Sequence, residues 1–120
     1  MEVTAISEQQ CSKVTEMLGR VGDRWTLRVI VTLRTRPLRF NQIRRTVDGI
    51  SQQMLTRTLR ALERDGMVTR TVHPSVPPQV EYALTPLGMS LALEGMRFGD
   101  WVLTHLPEID RHRERTDGAA

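Results

Sequence analysis

One segment, Ser51 to Gly66, constrains the fold most because it contains the signals for both ends of a single helix. Ser51 can accept a hydrogen bond from a free amide of the first helical turn, and Gly66 suits the left-handed backbone that ends many helices. The segment therefore predicts an amphipathic helix. Its apolar residues recur at helical spacing, at Met54, Leu55, Leu59 and Leu62.

The opposite face of this helix is polar and basic. Arginine and glutamine form paired hydrogen bonds with guanine and adenine, and threonine contacts the DNA backbone or the thymine methyl group. A helix that is merely solvated has the same composition, so the segment alone leaves both interpretations open. The residues of this face are Gln52, Gln53, Thr56, Arg57, Arg60 and Arg64.

Charge is unevenly distributed along the chain. The 120 residues have a net charge of +3. Residues 20–70 contain twelve arginines and four acidic residues, a net +8, whereas the rest of the chain contains five cationic and ten acidic residues, a net −5. This asymmetry predicts a polyanionic partner for the middle of the chain.

The remaining composition excludes several protein classes. The length fits one domain, and no long apolar run or signal sequence is present, which predicts a cytoplasmic protein with no membrane partner. The single cysteine, Cys11, excludes an internal disulfide. His73, His105 and His112 lack the spacing of metal ligands, and no nucleophile–base pair or phosphate-binding loop is evident. We expect no metal, no cofactor and no enzymatic activity.

The residues before Ser51 predict three helices. Residues 1–10 lack periodicity and are expected to form a flexible lead. A helix is predicted over 11–21, a second one capped by Asp23 runs to Leu33, and a small helix over 41–47 follows an extended piece. In the second helix the expected core residues are Trp25, Val29, Ile30 and Leu33, and the expected outward residues are Arg24, Thr26 and Arg28.

The residues after Gly66 predict a hairpin and a long helix. Residues 67–72 and 80–84 alternate and flank a proline-rich loop, as two strands of a hairpin do. Thr85 and Pro86 are a helix start, and the helix is expected to end near His105, before Pro107. Residues 11–106 are thus predicted to be one DNA-binding and dimerisation domain, and 107–120 a charged tail.

Two consecutive helices followed at once by a β-hairpin are typical of a winged helix-turn-helix. The predicted fold class is α+β, mostly α, with additional N- and C-terminal helices that form a dimer interface. In this motif the second helix lies in the major groove of double-stranded DNA. The predicted base contacts are Gln52, Gln53, Thr56 and Arg57; the predicted backbone contacts are Arg39, Asn41, Arg44, Ser51 and Arg60; and the wing candidates are Arg70, His73, Ser75 and Gln79.

The long C-terminal helix has more apolar residues than one stripe can hold. Part of such a surface packs on a second chain, which predicts a homodimer and a pseudo-palindromic binding site with half-sites about one DNA turn apart. Gly95 and Gly99 are spaced to let another helix approach closely. The predicted interface residues are Val14, Met17, Leu18, Leu91, Met96, Phe98, Trp101 and Val102.

Several motifs between Cys11 and Trp101 are specific as a set. Cys11 precedes GDRWTL at 22–27, RFNQIRR at 39–45, GIS at 49–51, LTRTLRALERDG at 55–66, VPPQVEYALT at 76–85 and GDW at 99–101. Together they resemble the HxlR-type regulators, winged-helix relatives of the MarR group. The resemblance implies a homodimeric DNA-binding transcriptional regulator, often a repressor, whose dimer uses the first and last helices.

Some members of that family sense quinones, aldehydes or hypochlorite through the cysteine that Cys11 matches. The sequence departs from the family pattern at Ser12, where proline usually follows this cysteine, and at Gln42, where glutamate is usual. The resemblance makes a small electrophile or oxidant one candidate effector, although the departure at Ser12 weakens the transfer of this sensing role to Cys11.

Cys11 has two interpretations at this stage. A thiol near the positive end of a helix is reactive when it is exposed, and Lys13 adds a nearby positive charge. A buried cysteine instead packs as a small hydrophobic residue. In that case Cys11 is only structural, and the effector of the regulator is a different ligand. A third alternative for the whole chain is a winged-helix module that binds only proteins and has little salt-dependent affinity for DNA.

Overall fold

The computed structural model describes residues 6–119 and has five helices and three strands in that range. The strands form one antiparallel sheet in the order β1-β3-β2. The prediction of a mostly helical chain with a winged helix-turn-helix is confirmed. The elements are α1 (Glu8–Val21), α2 (Thr26–Leu33), β1 (Leu38–Arg39), α3 (Phe40–Thr46), α4 (Gln52–Arg64), β2 (Val68–His73), β3 (Gln79–Leu84) and α5 (Pro86–Ala119).

Both predicted ends of α4 are confirmed. The Ser51 Oγ atom accepts a hydrogen bond from the Met54 amide at 3.0 Å. Gly66, just after the helix, has a φ of +76°, a conformation that a side chain would strain. The apolar stripe is buried at Leu55, Leu59 and Leu62, while Met54 is half-buried against the same core.

The core lies between α2, α3, α4 and the start of the sheet. The buried stripe of α2 consists of Thr26, Val29, Ile30 and Leu33, spaced three, four and seven residues from its first member. Thr26 is only 5% exposed, so the prediction that it faces outward is wrong. The helical period places residue 26 on the buried stripe, and the polar character of threonine does not change that position.

The wing is the β2–β3 hairpin, which is anchored to the core at its base. Val68 pairs with Leu84 there, and His73 pairs with Gln79 at the far end. Strand β1 adds to the outer side of β3 with Leu38 opposite Tyr82. The predicted hairpin is therefore confirmed, and its loop over 74–78 extends away from the buried end of the sheet.

Helix α1 begins earlier than predicted. The Ser7 Oγ atom accepts from the Gln10 amide at 3.1 Å, and the Gln10 Oε1 atom accepts from the Ser7 amide at 2.8 Å. This reciprocal capping box satisfies two free amides and begins the helix at Glu8. The predicted flexible lead is therefore wrong for residues 8–10, and residues 1–5 of it lie outside the described part of the chain.

Helix α5 continues past its predicted end. Pro107 lies inside the helix, which extends to Ala119, so the predicted end near His105 is wrong and the charged tail is helical from residue 107 to Ala119. A proline in a helix interior costs about 3 kcal/mol. Half of the residues over 108–119 are good helix formers, and the Arg113 and Asp110 side chains approach to 4.0 Å one turn apart.

Candidate nucleic-acid interface

The outward face of α4 presents a continuous polar surface. Its residues line one open concavity of about 570 Å³, on the side of the helix opposite the buried leucines. The structure thus brings the predicted base-contacting residues together with one predicted phosphate contact. They are Gln52, Gln53, Thr56, Arg57 and Arg60.

Most of these side chains are free to bind another molecule. Among the described residues, no side-chain hydrogen bond or salt bridge occupies Gln52, Gln53, Arg57 or Arg60. The Thr56 hydroxyl donates to the Gln52 carbonyl oxygen at 2.8 Å. Thr56 therefore keeps only its acceptor lone pairs and its methyl group for a partner, which suits contact with a thymine methyl better than donation to a phosphate.

Helix α3 contributes a second basic surface next to the turn into α4. Asn41 and Arg44 are exposed and line an adjacent depression of about 380 Å³ together with Arg45 and Ile50. Arg45 was not among the predicted contacts, although the doublet it forms with Arg44 in the sequence is a readable signal. Since Ile50 directly precedes Ser51, this depression lies next to the N-terminal end of α4.

Arg39 occupies the junction between β1 and α3. Its backbone is extended, and its amide donates to the Gln42 Oε1 atom at 2.8 Å. Gln42 thus caps the start of α3 as a glutamate would. The replacement of an acid by Gln42 keeps the local structure and leaves one negative charge fewer beside the basic surface.

The predicted wing residues are divided between two faces of the hairpin. Arg70 lies opposite Tyr82, on the face that contains the buried Val68, whereas His73 and Gln79 pair with each other on the other face. The His73 Nε2 atom also lies 3.2 Å from a carboxylate oxygen of Glu81. One flat contact cannot use Arg70 together with His73 and Gln79. Ser75, the fourth predicted residue, lies in the loop, where its hydroxyl donates to the Pro77 carbonyl oxygen at 2.7 Å.

The positive charge of residues 20–70 is largely unneutralised. Of the twelve arginines in this range, Arg20 is the one that forms a salt bridge among the described residues, with Asp65 at 3.1 Å. Asp23 is engaged with backbone amides at the start of α2. The positive potential predicted from the sequence therefore remains available to an anion.

Helices α1 and α5 expose the residues predicted for the dimer interface. No residue of α1 is buried, and Leu18 and Phe98 are 60% and 61% exposed. An open apolar groove of about 530 Å³ runs between α1, α2 and α5. Predicted interface residues that line it are Val14, Met17, Leu18, Leu91 and Phe98.

The other predicted interface residues lie elsewhere on α5. Trp101 stacks on Phe98 with ring centroids 6.2 Å apart, and Val102 is half-buried. Met96 does not line the groove, because two residues correspond to about 200° around a helix from Phe98. The space at Gly95 accommodates Leu27 of the same chain, whose Cδ2 atom would lie 3.0 Å from an added Cβ atom.

Cys11 is exposed in the N-terminal part of α1. It lies three and seven residues before Val14 and Leu18, so the three side chains share one side of the helix. The exposure removes the interpretation of Cys11 as a buried packing residue within the protomer. It also places the thiol in line with the apolar surface of α1.

Neither a metal site nor a membrane-spanning helix is found in the described part of the chain. No group of three or more His, Cys, Asp or Glu side chains within residues 6–118 is arranged to hold a metal ion. None of the helices described combines the length and apolar character needed to cross a membrane.

A basic recognition helix beside a β-hairpin, on a mostly helical frame, defines a winged helix-turn-helix protein of the DNA-binding class. The model of the HxlR-like helix-turn-helix family matches residues 20–110, and the chain belongs to this family of transcriptional regulators. The prediction of this family from the sequence motifs is confirmed.

Individual relatives agree with this assignment. The uncharacterized HTH-type transcriptional regulator YtfH of Escherichia coli is 42% identical over 101 residues, which are 84% of this chain and 79% of that protein. The structure of the putative transcriptional regulator YtfH from Salmonella typhimurium has a TM-score of 0.75 at 41% identity. The match covers 90% of this chain and 95% of the YtfH chain. The redox regulator HypR in its oxidised form has a TM-score of 0.70 at 37% identity over 77% and 95% of the two chains.

Proposed function

We propose that this protein represses transcription by binding a pseudo-palindromic operator in double-stranded DNA as a homodimer. One α4 helix enters the major groove at each half-site. The observation that carries the proposal is the single open surface of α4, where Gln52, Gln53, Arg57 and Arg60 have no side-chain partner within the described chain. Such groups are suited to base edges and phosphates rather than to packing.

The contacts divide into two kinds by their position on this surface. Gln52, Gln53, Thr56 and Arg57 occupy the N-terminal half of α4, which reaches base edges in a helix-turn-helix. Ser51 and Arg60, with Asn41 and Arg44 on α3, lie towards the flanking phosphates. Base contacts set sequence preference, and phosphate contacts set an affinity that falls with salt.

The homodimer is supported by the apolar surface of α1 and α5. The exposed side chains of Leu18 and Phe98 face one groove, and an apolar surface of this kind marks a protein interface in a water-soluble domain. A second copy can place its own α1 or α5 there. Two α4 helices related by a two-fold axis then meet successive major-groove segments about one turn apart.

The test is a salt titration of DNA binding. A duplex selected by the wild-type protein from a random pool is compared with a mixed-sequence duplex by fluorescence anisotropy. We expect tight binding to the selected duplex, weaker binding to the mixed one, and affinity that falls steeply with salt on both. Weak binding without a salt dependence would instead indicate a protein-interaction module, and a reporter repressed from the selected site tests the sign of regulation.

A response to oxidants through Cys11 is a second component of the proposal. It is supported by the exposure of the thiol on the same side of α1 as Val14 and Leu18, and by the similarity to HypR, which is a redox regulator. Oxidation by diamide takes two electrons from two thiols, so with one cysteine per chain the new disulfide joins two protomers or one protomer and a small thiol. A modified Cys11 then alters how α1 packs.

The experiment for Cys11 measures operator affinity before and after diamide treatment. Wild-type affinity is expected to change and to recover with a reducing agent, whereas Cys11→Ser should bind equally well under both conditions. If diamide leaves the wild-type affinity unchanged, Cys11 is not the sensor, and an effector that occupies the apolar groove becomes the alternative.

A further inference from the structure

Two arginines at the start of α2 gather on one tryptophan. The guanidinium carbon of Arg24 lies 4.9 Å from the centroid of the Trp25 ring, and that of Arg28 lies 5.1 Å from it. Both arginine side chains are exposed, while Trp25 is half-buried and packs against the hydrophobic core. The ring is therefore a fixed platform that keeps two positive charges at the surface, each about 5 Å from its centroid.

This cluster is attached to the turn between α3 and α4. The Arg28 Nη2 atom donates to the Asp48 carbonyl oxygen at 3.3 Å, and a Cβ atom on Gly49 would lie 3.7 Å from the Trp25 Cη2 atom. Asp48 and Gly49 lead directly to the cap of α4. The two guanidinium groups are thus held next to the N-terminal end of the recognition helix, where the helix dipole is also positive.

Nothing in the described chain neutralises the pair. Neither Arg24 nor Arg28 has a carboxylate oxygen within the 4.0 Å of a salt bridge among residues 6–118. The Oδ1 atom of Asp23, the acid next to them in the sequence, accepts instead from the amides of Trp25 and Thr26 at 2.6 and 3.3 Å. The two cations on this ring therefore lack a counter-ion among the described residues, and a bound anion would supply one.

We propose that Arg24 and Arg28, held by Trp25, clamp a phosphate of the DNA backbone beside the major groove that α4 enters. This inference rests on the proposed function and adds a contact outside the helix-turn-helix itself. Guanidinium groups donate two parallel hydrogen bonds to a phosphate, and stacking on the ring limits the side-chain freedom that binding would otherwise remove. The clamp fixes the position of α4 over the bases and reads no sequence.

The test compares two double variants with the wild-type protein. Arg24→Gln with Arg28→Gln removes both charges, Arg24→Lys with Arg28→Lys keeps them, and Arg111→Gln removes a charge from the far part of α5. Affinity is measured by fluorescence anisotropy on the selected duplex and on a mixed-sequence duplex, over about 50 to 200 mM KCl, a range in which phosphate contacts dominate the salt dependence. Thermal unfolding followed by circular dichroism verifies that each variant is folded.

The glutamine variant should bind both duplexes more weakly by the same factor, and the slope of log affinity against log salt should become shallower by about 0.9 for each lost phosphate contact. The lysine variant should keep the wild-type slope, and Arg111→Gln should match the wild type throughout. An unchanged slope in the glutamine variant, or a loss confined to the selected duplex, would overturn the clamp alone. A wild-type protein without salt-dependent affinity would overturn the proposed function and the clamp together.

Discussion

The proposed dimer makes a quantitative prediction at Phe98. This side chain is 61% exposed in the protomer and lines the apolar groove beside α1. Full burial of a phenylalanine is worth about 1.5–3 kcal/mol, so burial of the exposed fraction contributes about 1–2 kcal/mol. Because a two-fold interface contains the residue twice, Phe98→Ala should weaken the dimer by roughly 2–4 kcal/mol, or about 30- to 700-fold in Kd.

Sedimentation equilibrium across a range of concentrations measures this change directly. Val76→Ala is the control, because Val76 is an apolar side chain more exposed than Phe98 but lies in the wing loop. Phe98→Ala should also lower affinity for a selected operator with two half-sites more than for a duplex with one half-site. An unchanged dimer Kd in Phe98→Ala would mean that the groove between α1 and α5 is not the interface.

Two further predictions concern the recognition surface and the packing of α5 against Met67. Arg57→Ala should lower affinity for the selected duplex by about 1–3 kcal/mol and change affinity for mixed-sequence DNA little. Arg44→Ala should weaken binding to both duplexes alike, as fluorescence anisotropy on the two duplexes will measure. Equal effects of both variants on both duplexes would contradict this division. Gly88→Ala should lower the free energy of unfolding by about 1–3 kcal/mol in urea titrations, because the added Cβ atom would overlap the Met67 carbonyl oxygen. Gly118→Ala, with no atom within 4 Å of its Cβ position, is the matched control and should leave the unfolding free energy close to its wild-type value.

Signals that act over a few residues were predictable from the sequence. The Ser51 cap and the left-handed Gly66 depend on bonds within one helical turn, and the hydroxyl of Thr85 likewise accepts from the Gly88 amide at 3.0 Å at the start of α5. The outward face of α4 was predictable as well, because the helical period alone decides which side chains lie opposite Leu55 and Leu59.

Features that depend on the rest of the fold were not predictable in the same way. The faces of Arg70 and His73 follow from strand pairing, since the register and the side of the sheet that is covered decide which residues point to the core. The stack of Arg24 and Arg28 on Trp25 requires the turn at Asp48 to be in place, and its sequence spacing indicates only two exposed cations. The capping box at Ser7, by contrast, is a local signal, because Ser7 and Gln10 are only three residues apart in the sequence.

Helix α1 is the part of the fold that most needs a second chain. It has fourteen residues, none of them buried, and isolated helices of that length are marginal in water. One side-chain link from α1 to α4 within the described protomer is the salt bridge from Arg20 to Asp65, the residue that caps the C-terminal end of α4. We propose that in the dimer a partner that orders α1 also restrains α4 through this bridge, and that a change at Cys11 that disturbs α1 reaches the recognition helix by the same route.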